Sequence, residues 1–349
     1  MRIHTTPHRD IGGPAQPLLT VRGLSKHFPL KNGSTVRAVD GVDFEVLKGE
    51  TLGVVGESGC GKSTTARLLM HLIDPTHGEL VFDGRKVGGR ELSLKEFRRQ
   101  VQMVFQDSYA SLNPRLTIED SISFGPQVHG VSKKEAIARA HHLMDRVGLA
   151  PNRFAERYPH ELSGGQRQRI NIARALALQP RMVILDEAVS ALDKSVEAQV
   201  LNLLSDLKRE FGLTYIFISH DLGVVHYISD RVMVMYLGQV AEIGPSDTLF
   251  ANSAHPYTKA LLSSVPSMDP RNRTQKAPLA GDPPNPINPP PGCRFHPRCP
   301  QAAPICSERA PTISTVQLHH HARCLVHEFS SGHPAALAAP HASLEEIAA

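Results

Sequence analysis

The sequence predicts an α/β fold organised around a phosphate-binding loop, and three features make that case. The first is Gly56-Glu57-Ser58-Gly59-Cys60-Gly61-Lys62-Ser63-Thr64, where two glycines bracket four residues and Lys-Ser follows. It stands between residues 51–55, an apolar run that reads as a buried strand, and residues 65–70, an apolar helical run that Pro75 would stop. The second is residues 182–187, a continuous apolar run suited to a central parallel strand and closed by Asp186 and Glu187. The third is the stretch from 107 to 180, where the hydrophobic period turns helical between those strands. The expected architecture is a mixed sheet with an inserted helical subdomain, followed by a small cysteine-rich extension.

The loop carries the chemistry. A strand, a tight glycine turn and a helix N-terminus aim several backbone N–H groups and a positive dipole end at one point. Gly56, Gly59 and Gly61 allow dihedrals and a close approach that a Cβ would block. Lys62 can then reach the β- and γ-phosphates of a nucleotide, and the Ser63 hydroxyl is placed to hold magnesium.

At 349 residues the chain is long enough for a sizeable core and two unequal domains. Hydrophobic content of 41% with 21% charged residues is that of a soluble globular protein. A net charge of +4 is too small for this length to argue for a nucleic-acid partner. Residues 1–17 read as a loose polar leader without a signal-peptide core, and no apolar run is long enough to span a bilayer. A cytosolic setting is the expectation.

Taken in order, residues 18–24 and 36–46 read as strands joined by the turn Lys31-Asn32-Gly33-Ser34. Phe28, at the end of the first, is either core or a base-stacking aromatic. After the loop helix, residues 78–83 and 101–105 read as strands, with Ser93-Leu94-Lys95-Glu96 starting a helix between them. Gln106 ends the second strand, where its amide can address a metal-bound water. Ser132-Lys133-Lys134-Glu135 starts another helix, which Gly148 stops. Leu162-Ser163-Gly164-Gly165-Gln166 opens a helix through Leu178 and offers a second anion site at its N-terminus. Asp186 is placed to hold magnesium and Glu187 to act as base for an attacking water. Ser190-Ala191-Leu192-Asp193 leads into a helix with a one-faced apolar spacing. Residues 215–219 form the next buried strand, ended by His220, and a hairpin around Leu237-Gly238 closes the domain near 250.

The ordered set of residues 56–64, Gln106, 162–166, Asp186-Glu187, 190–193 and His220 resembles the ATP-binding subunits of ABC transporters. The resemblance covers roughly residues 18–325 and implies that two such subunits close head to tail over two ATPs. By matching position it implies that Phe28 stacks on adenine and that Ser163, Gly164, Gly165, Gln166 and Asp193 serve ATP at the shared interface. Gln106 would sense the γ-phosphate and touch magnesium, while Glu187 and His220 would carry hydrolysis. The run from Gln106 through Asp107-Ser108-Tyr109-Ala110-Ser111-Leu112-Asn113-Pro114-Arg115, and His255-Pro256-Tyr257, resemble the oligopeptide/dipeptide importers, specifically their DppF/OppF kind of ATPase. That scheme implies a heterodimer with a sister ATPase, two permease subunits and an extracytoplasmic solute-binding protein, with this chain peripheral at the cytoplasmic face of a bacterial inner membrane. Relatives that import nickel or glutathione share these motifs. Ala188 and Ser108 depart from the family's usual prolines.

Four of the five cysteines, Cys293, Cys299, Cys306 and Cys324, follow a linker over residues 266–291 rich in proline and asparagine. Their five, six and seventeen intervening residues do not fit short Cys-x-x-Cys zinc knuckles. Four thiolates suit either zinc or an iron–sulfur cluster; the family resemblance implies a [4Fe–4S] cluster, stapling a small tail. His319-His320-His321 reads as a solvated loop, and the segment beyond 330 as a disordered tail.

Overall fold

The computed structural model describes residues 17–264, 281 and 284–336. The expected leader, apart from Pro17, and residues 265–280, 282 and 283 of the expected linker lie outside the described residues, as do residues 337–349.

The chain opens with β1 (Pro17–Pro29), β2 (Thr35–Leu47), β3 (Thr51–Val55) and α1 (Lys62–Leu69), then β4 (His77–Phe82), β5 (Arg85–Lys86), α2 (Leu94–Gln100) and β6 (Val101–Val104). A helical stretch follows as α3 (Ile118–Val128), α4 (Lys133–Arg146), α5 (Pro151–Phe154) and α6 (Gly164–Leu176). The chain returns through β7 (Met182–Asp186), α7 (Lys194–Phe211), β8 (Thr214–Ile218), α8 (Leu222–Ile228), β9 (Arg231–Tyr236) and β10 (Gln239–Pro245). Then come α9 (Ser246–Ala251), α10 (Pro256–Ser263), α11 (Pro304–Glu308), β11 (Ser314–Gln317) and β12 (His320–Ala322).

Among the described residues these strands make two sheets. The larger runs β11-β12-β10-β9-β3-β8-β7-β6, and the smaller runs β2-β1-β4-β5. Strands β9, β3, β8, β7 and β6 are mutually parallel, so their C-terminal ends line one edge. That edge is where α/β sheets bind ligands. Alternation along the parallel strands splits the core in two. Val183, Leu185, Tyr215, Phe217, Val232 and Val234 face the helical side, with Ile170, Ala173, Val200 and Leu204. Met182, Ile184, Ile216, Ile218, Met233 and Met235 face the other side, where Ala66, Leu68 and Leu69 of α1 meet Leu19, Val39 and Phe82 of the small sheet.

Local signals act as expected. The hydroxyls of Ser93 and Ser132 accept from the Glu96 and Glu135 N–H groups and cap α2 and α4. Gly148, at φ +75°, follows the end of α4. Two readings are corrected. The segment beyond 330, expected as a disordered tail, is packed at its start: Ser331 and His333 are buried, and His333 Nε2 lies 3.0 Å from the Gln301 carbonyl. The histidine run is not a solvated loop either, because His320 is fully buried on β12, with Nε2 2.6 Å from Glu242 Oε1 of β10. Strand β12 pairs with β10, so the C-terminal segment continues the central sheet.

Candidate functional site

The residues at the C-terminal edge of the parallel strands come from four strand ends. After β3 the loop 56–61 turns through Gly56, Gly59 and Gly61, all with positive φ, before α1 begins at Lys62. Glycine is required at two of these for space as well as dihedral. A Cβ on Gly56 would run into the Met235 carbonyl, and one on Gly61 into the Ala38 carbonyl of β2. Lys62 is buried, and its ammonium donates to the Gly56 and Glu57 carbonyls at 2.7 and 3.0 Å. That holds the cation within the loop, where phosphate oxygens would take over those bonds.

Ser63 Oγ and Asp186 Oδ1, from α1 and the end of β7, are 3.1 Å apart. Asp186 is buried; desolvation pushes its carboxyl above the ordinary range, the Glu187 charge adds to that, and the Ser63 hydroxyl, Arg67 and Lys62 oppose it. A desolvated carboxylate beside a hydroxyl is an all-oxygen donor pair, the chemistry a magnesium ion requires. Beyond β6, Gln106 Nε2 donates to Glu187 Oε2 at 2.8 Å. His220, beyond β8, brings Nδ1 within 3.6 Å of the same oxygen. Glu187 itself sits at φ +49°, its N–H bonded to the Ile218 carbonyl, and Ala188 behind it is buried. A non-glycine residue held in the left-handed region is stored strain of the kind found at functional sites.

The fold therefore joins Lys62, Ser63, Asp186, Glu187, Gln106 and His220 along one edge. Phe28 is exposed at the end of β1, its ring 5.2 Å from Lys26 Nζ, and it pairs with Val36 close to Ala38. Cys60 is different from its neighbours: its thiol turns into the core and is raised by burial, so only its backbone is available to a ligand. The Ser163 turn belongs to the helical layer instead. Ser163 Oγ accepts from Gln166 N–H at 3.3 Å and Gln166 Oε1 accepts from Ser163 N–H at 2.9 Å, a complete capping box for α6. Gly164 and Gly165 follow at its first turn, and Val196 of α7 leaves no room for a side chain on Gly165. Asp193 precedes α7 and makes no side-chain cap bond there.

The C-terminal segment also reaches this edge, which sequence reasoning missed. Tyr257, fully buried on α10, accepts the Glu57 N–H at its hydroxyl at 2.9 Å. Arg298 donates to both oxygens of the Glu57 carboxylate, at 2.8 and 3.0 Å. The available signal was two arginines, Arg294 and Arg298, spaced between Cys293 and Cys299 in a segment expected to be only a tail.

Cys293, Cys299, Cys306 and Cys324 line one small pocket of about 20 Å³, together with Phe295, His296 and Leu325. All four are free thiols. Burial pushes Cys293 up to about 11 and Cys324 up to about 12, with neighbouring thiols adding to the shift, and it raises Cys299 as well. Among the described residues no three His, Cys, Asp or Glu side chains are grouped as ligands for one metal ion.

Comparison with known proteins gives the family. Residues 39–190 match the ABC transporter family, and residues 241–306 match the oligopeptide/dipeptide transporter C-terminal region. A probable peptide ABC transporter ATP-binding protein of Sinorhizobium fredii is 53% identical over 304 residues, covering 85% of this chain and 86% of that protein. The oligopeptide transport ATP-binding protein AppF of Bacillus subtilis is 49% identical over 320 residues, covering 88% of this chain and 97% of that protein. Among solved structures, the cbiO1 component of a Clostridium perfringens ABC transporter complex superposes with a TM-score of 0.60 at 28% identity, over 68% of this chain and 91% of that one. An ATP-binding cassette dimer in a post-hydrolysis state with ADP and Pi gives 0.58 at 29% identity, over 65% of this chain and 98% of that one. The chain belongs to the ABC transporter ATP-binding subunits, in the branch that carries the oligopeptide/dipeptide C-terminal region.

Proposed function

We propose that this chain binds and hydrolyses ATP to power peptide import by an ABC transporter, at the cytoplasmic face of a bacterial inner membrane. The observation that carries this reading is the joining of a complete hydrolytic edge to an oligopeptide-type C-terminal region within one chain. Loop N–H groups and Lys62 hold the phosphates, and Phe28 stacks on the base. Ser63, Asp186 and Gln106 are the residues that would hold magnesium, which supplies charge neutralisation at the β- and γ-phosphates when bound. Glu187 takes the proton of the attacking water, with Gln106 and His220 both at its Oε2. Phosphoryl transfer asks for little else than position and charge. Ser163, Gly164, Gly165, Gln166 and Asp193 lie off this edge and would serve an ATP held mainly by a second ATPase subunit.

The proposed partners are a sister ATPase, two permeases and a solute-binding protein. Among the described residues no helix is long and apolar enough to cross a membrane. Mass spectrometry of what co-purifies from gently solubilised membranes tests this. Two permeases and a second ATPase are expected, and recovery with ribosomes or DNA instead would overturn the transport reading. A binding protein for nickel or glutathione encoded beside them would redirect the solute and keep the ATPase.

For the cysteines the reading is a [4Fe–4S] cluster held by Cys293, Cys299, Cys306 and Cys324, serving to staple the segment. The donor set is all sulfur, and the four thiols line the same small pocket, which supports a cluster whose irons each take one thiolate. Tetrahedral zinc with bonds near 2.3 Å would need its sulfurs about 3.8 Å apart around a single point.

A further inference from the structure

The phosphate loop contains one acid. Glu57 follows Gly56 directly, and its own carbonyl is one of the two that hold Lys62. A carboxylate at that position opposes an incoming polyphosphate, and the repulsion acts over several ångströms in a partly desolvated site. Glu57 is engaged from two sides by residues that follow β10. Arg298 makes a planar, bidentate pair with its carboxylate, and the Arg298 side chain is only 5% exposed. The Tyr257 hydroxyl takes its N–H.

These two residues are themselves fixed. Tyr257, Tyr236 and Phe295 form an aromatic cluster with ring centroids 4.6 to 5.4 Å apart beneath the loop. Arg294 pairs with Asp40 of β2 and donates to the Leu237 carbonyl, and the next N–H, that of Gly238, bonds the Cys60 carbonyl at 2.8 Å. The segment 293–299 is thus a strap tied to the sheet at one arginine and to the phosphate loop at the other.

We propose that Arg298 is a positioning residue for the nucleotide site: it cancels the loop's single carboxylate and fixes the peptide whose carbonyl orients Lys62. Arg298 does not touch the nucleotide; it acts through Glu57. A bidentate fork suits this task better than an ammonium, because it fixes the carboxylate plane as well as the charge.

The test is a two-residue cycle on the full chain, read by titration with a fluorescent ATP in the presence of magnesium, with nucleotide-free thermal unfolding alongside. Arg298→Gln is expected to weaken binding about 5-fold or more, the usual lower range of a coupling between sites. Adding Glu57→Gln to that variant is expected to restore most of the affinity, because the uncompensated charge is gone. A residue that merely staples the segment would lower thermal stability without this rescue. Unchanged affinity in Arg298→Gln overturns the proposal, and so does a double variant as weak as the single. Should Arg298→Gln fail to fold by circular dichroism, the titration is run with Arg298→Lys, which keeps the charge and loses the fork. There an affinity loss of about 2-fold or more is expected, because the fork that fixes the Glu57 carboxylate is gone, and parental binding in Arg298→Lys overturns the proposal.

Discussion

Gln106 and Glu187 meet side chain to side chain across the gap between β6 and β7, with Gln106 Nε2 donating to Glu187 Oε2 at 2.8 Å. The bond leaves the other carboxylate oxygen for a water, and His220 approaches the bonded oxygen from β8. Glu187→Gln keeps the shape of this arrangement and removes the proposed base. We expect it to bind ATP with parental affinity and to lose about 10²–10⁴-fold in turnover, the usual worth of general-base help. Steady-state phosphate release checks this, and unchanged turnover would remove Glu187 from the role of base.

Lys62 is the cation of the phosphate loop, and without ligand its ammonium rests on two loop carbonyls. Replacing it by alanine removes charge-assisted bonds worth about 1.5–3 kcal/mol, so nucleotide affinity should fall roughly 10- to 100-fold. A fluorescent-ATP titration reads this directly. Thermal unfolding of the nucleotide-free chain should move much less than the affinity.

Gly61 combines φ +110° with a neighbour, the Ala38 carbonyl, that leaves a Cβ no space. Gly61→Ala must shift β2 or the loop, at a cost of about 1–3 kcal/mol, and it should impair both stability and nucleotide binding. Gly59→Ala is the contrasting variant: it meets nothing within 4 Å and suffers only the dihedral strain of φ +78°. A smaller loss of melting temperature at 59 than at 61 is the expected result.

How much of this was legible in the sequence follows from where each residue's partners lie. Central strands such as β7 and β8 are buried on both faces, so they appear as unbroken apolar runs and were read to within a residue. Strand β1 runs to Pro29 although residues 18–24 were the expectation. Register shifts between Val21 and Leu24, and again through Lys26 and His27, break its alternation and hide its second half. Strands β11 and β12 gave no signal, because they are short and half polar. His320 occupies a core position where the carboxylate of Glu242, 78 residues earlier, meets its ring. The Arg298–Glu57 pair spans 241 residues, and no local pattern announces it. Motifs that bind by their own backbone are local and readable; side-chain pairs that join distant segments are not.

The cysteine pocket makes a chemical prediction. Anaerobically purified protein should carry about four irons and matching acid-labile sulfide per chain, with broad visible absorbance. Cys306→Ser should lower that iron content sharply, and a zinc-loaded, colourless protein would overturn the cluster reading. Because burial raises Cys293 and Cys324 to about 11 and 12, ligation must displace protons that the apo chain holds firmly at neutral pH. Reconstitution of chelator-stripped protein should therefore improve as pH rises, where thiolates are easier to form.

The junction between β10 and α10 should make the chain acid-sensitive. His255 is buried, its Nδ1 accepts the Tyr257 N–H at 3.0 Å, and burial holds its pKa down to about 4. Glu242 on β10 and a hydrogen bond to the Arg323 backbone partly oppose that shift, while the His327 and Arg323 charges reinforce it. The unfolded chain takes up a proton on this histidine below about pH 6.5, and the folded chain resists it until about pH 4, so this contribution is full above 6.5 and drains away as pH falls toward 4. The whole span corresponds to a loss on the order of 3 kcal/mol. Glu242 is itself held below the ordinary carboxylate range; burial raises it, but the His320 imidazole and the Ala254 and His255 N–H groups outweigh that. Its contribution is likewise present above the unfolded value and lost as pH falls through the folded one, so it deepens the acid end of the same decline. Thermal unfolding from pH 7.5 to 4.5 should show a falling midpoint. His255→Asn, which keeps a side-chain acceptor and cannot titrate, should start lower at pH 7.5 and fall less steeply, and parallel curves would show that His255 is not the group responsible.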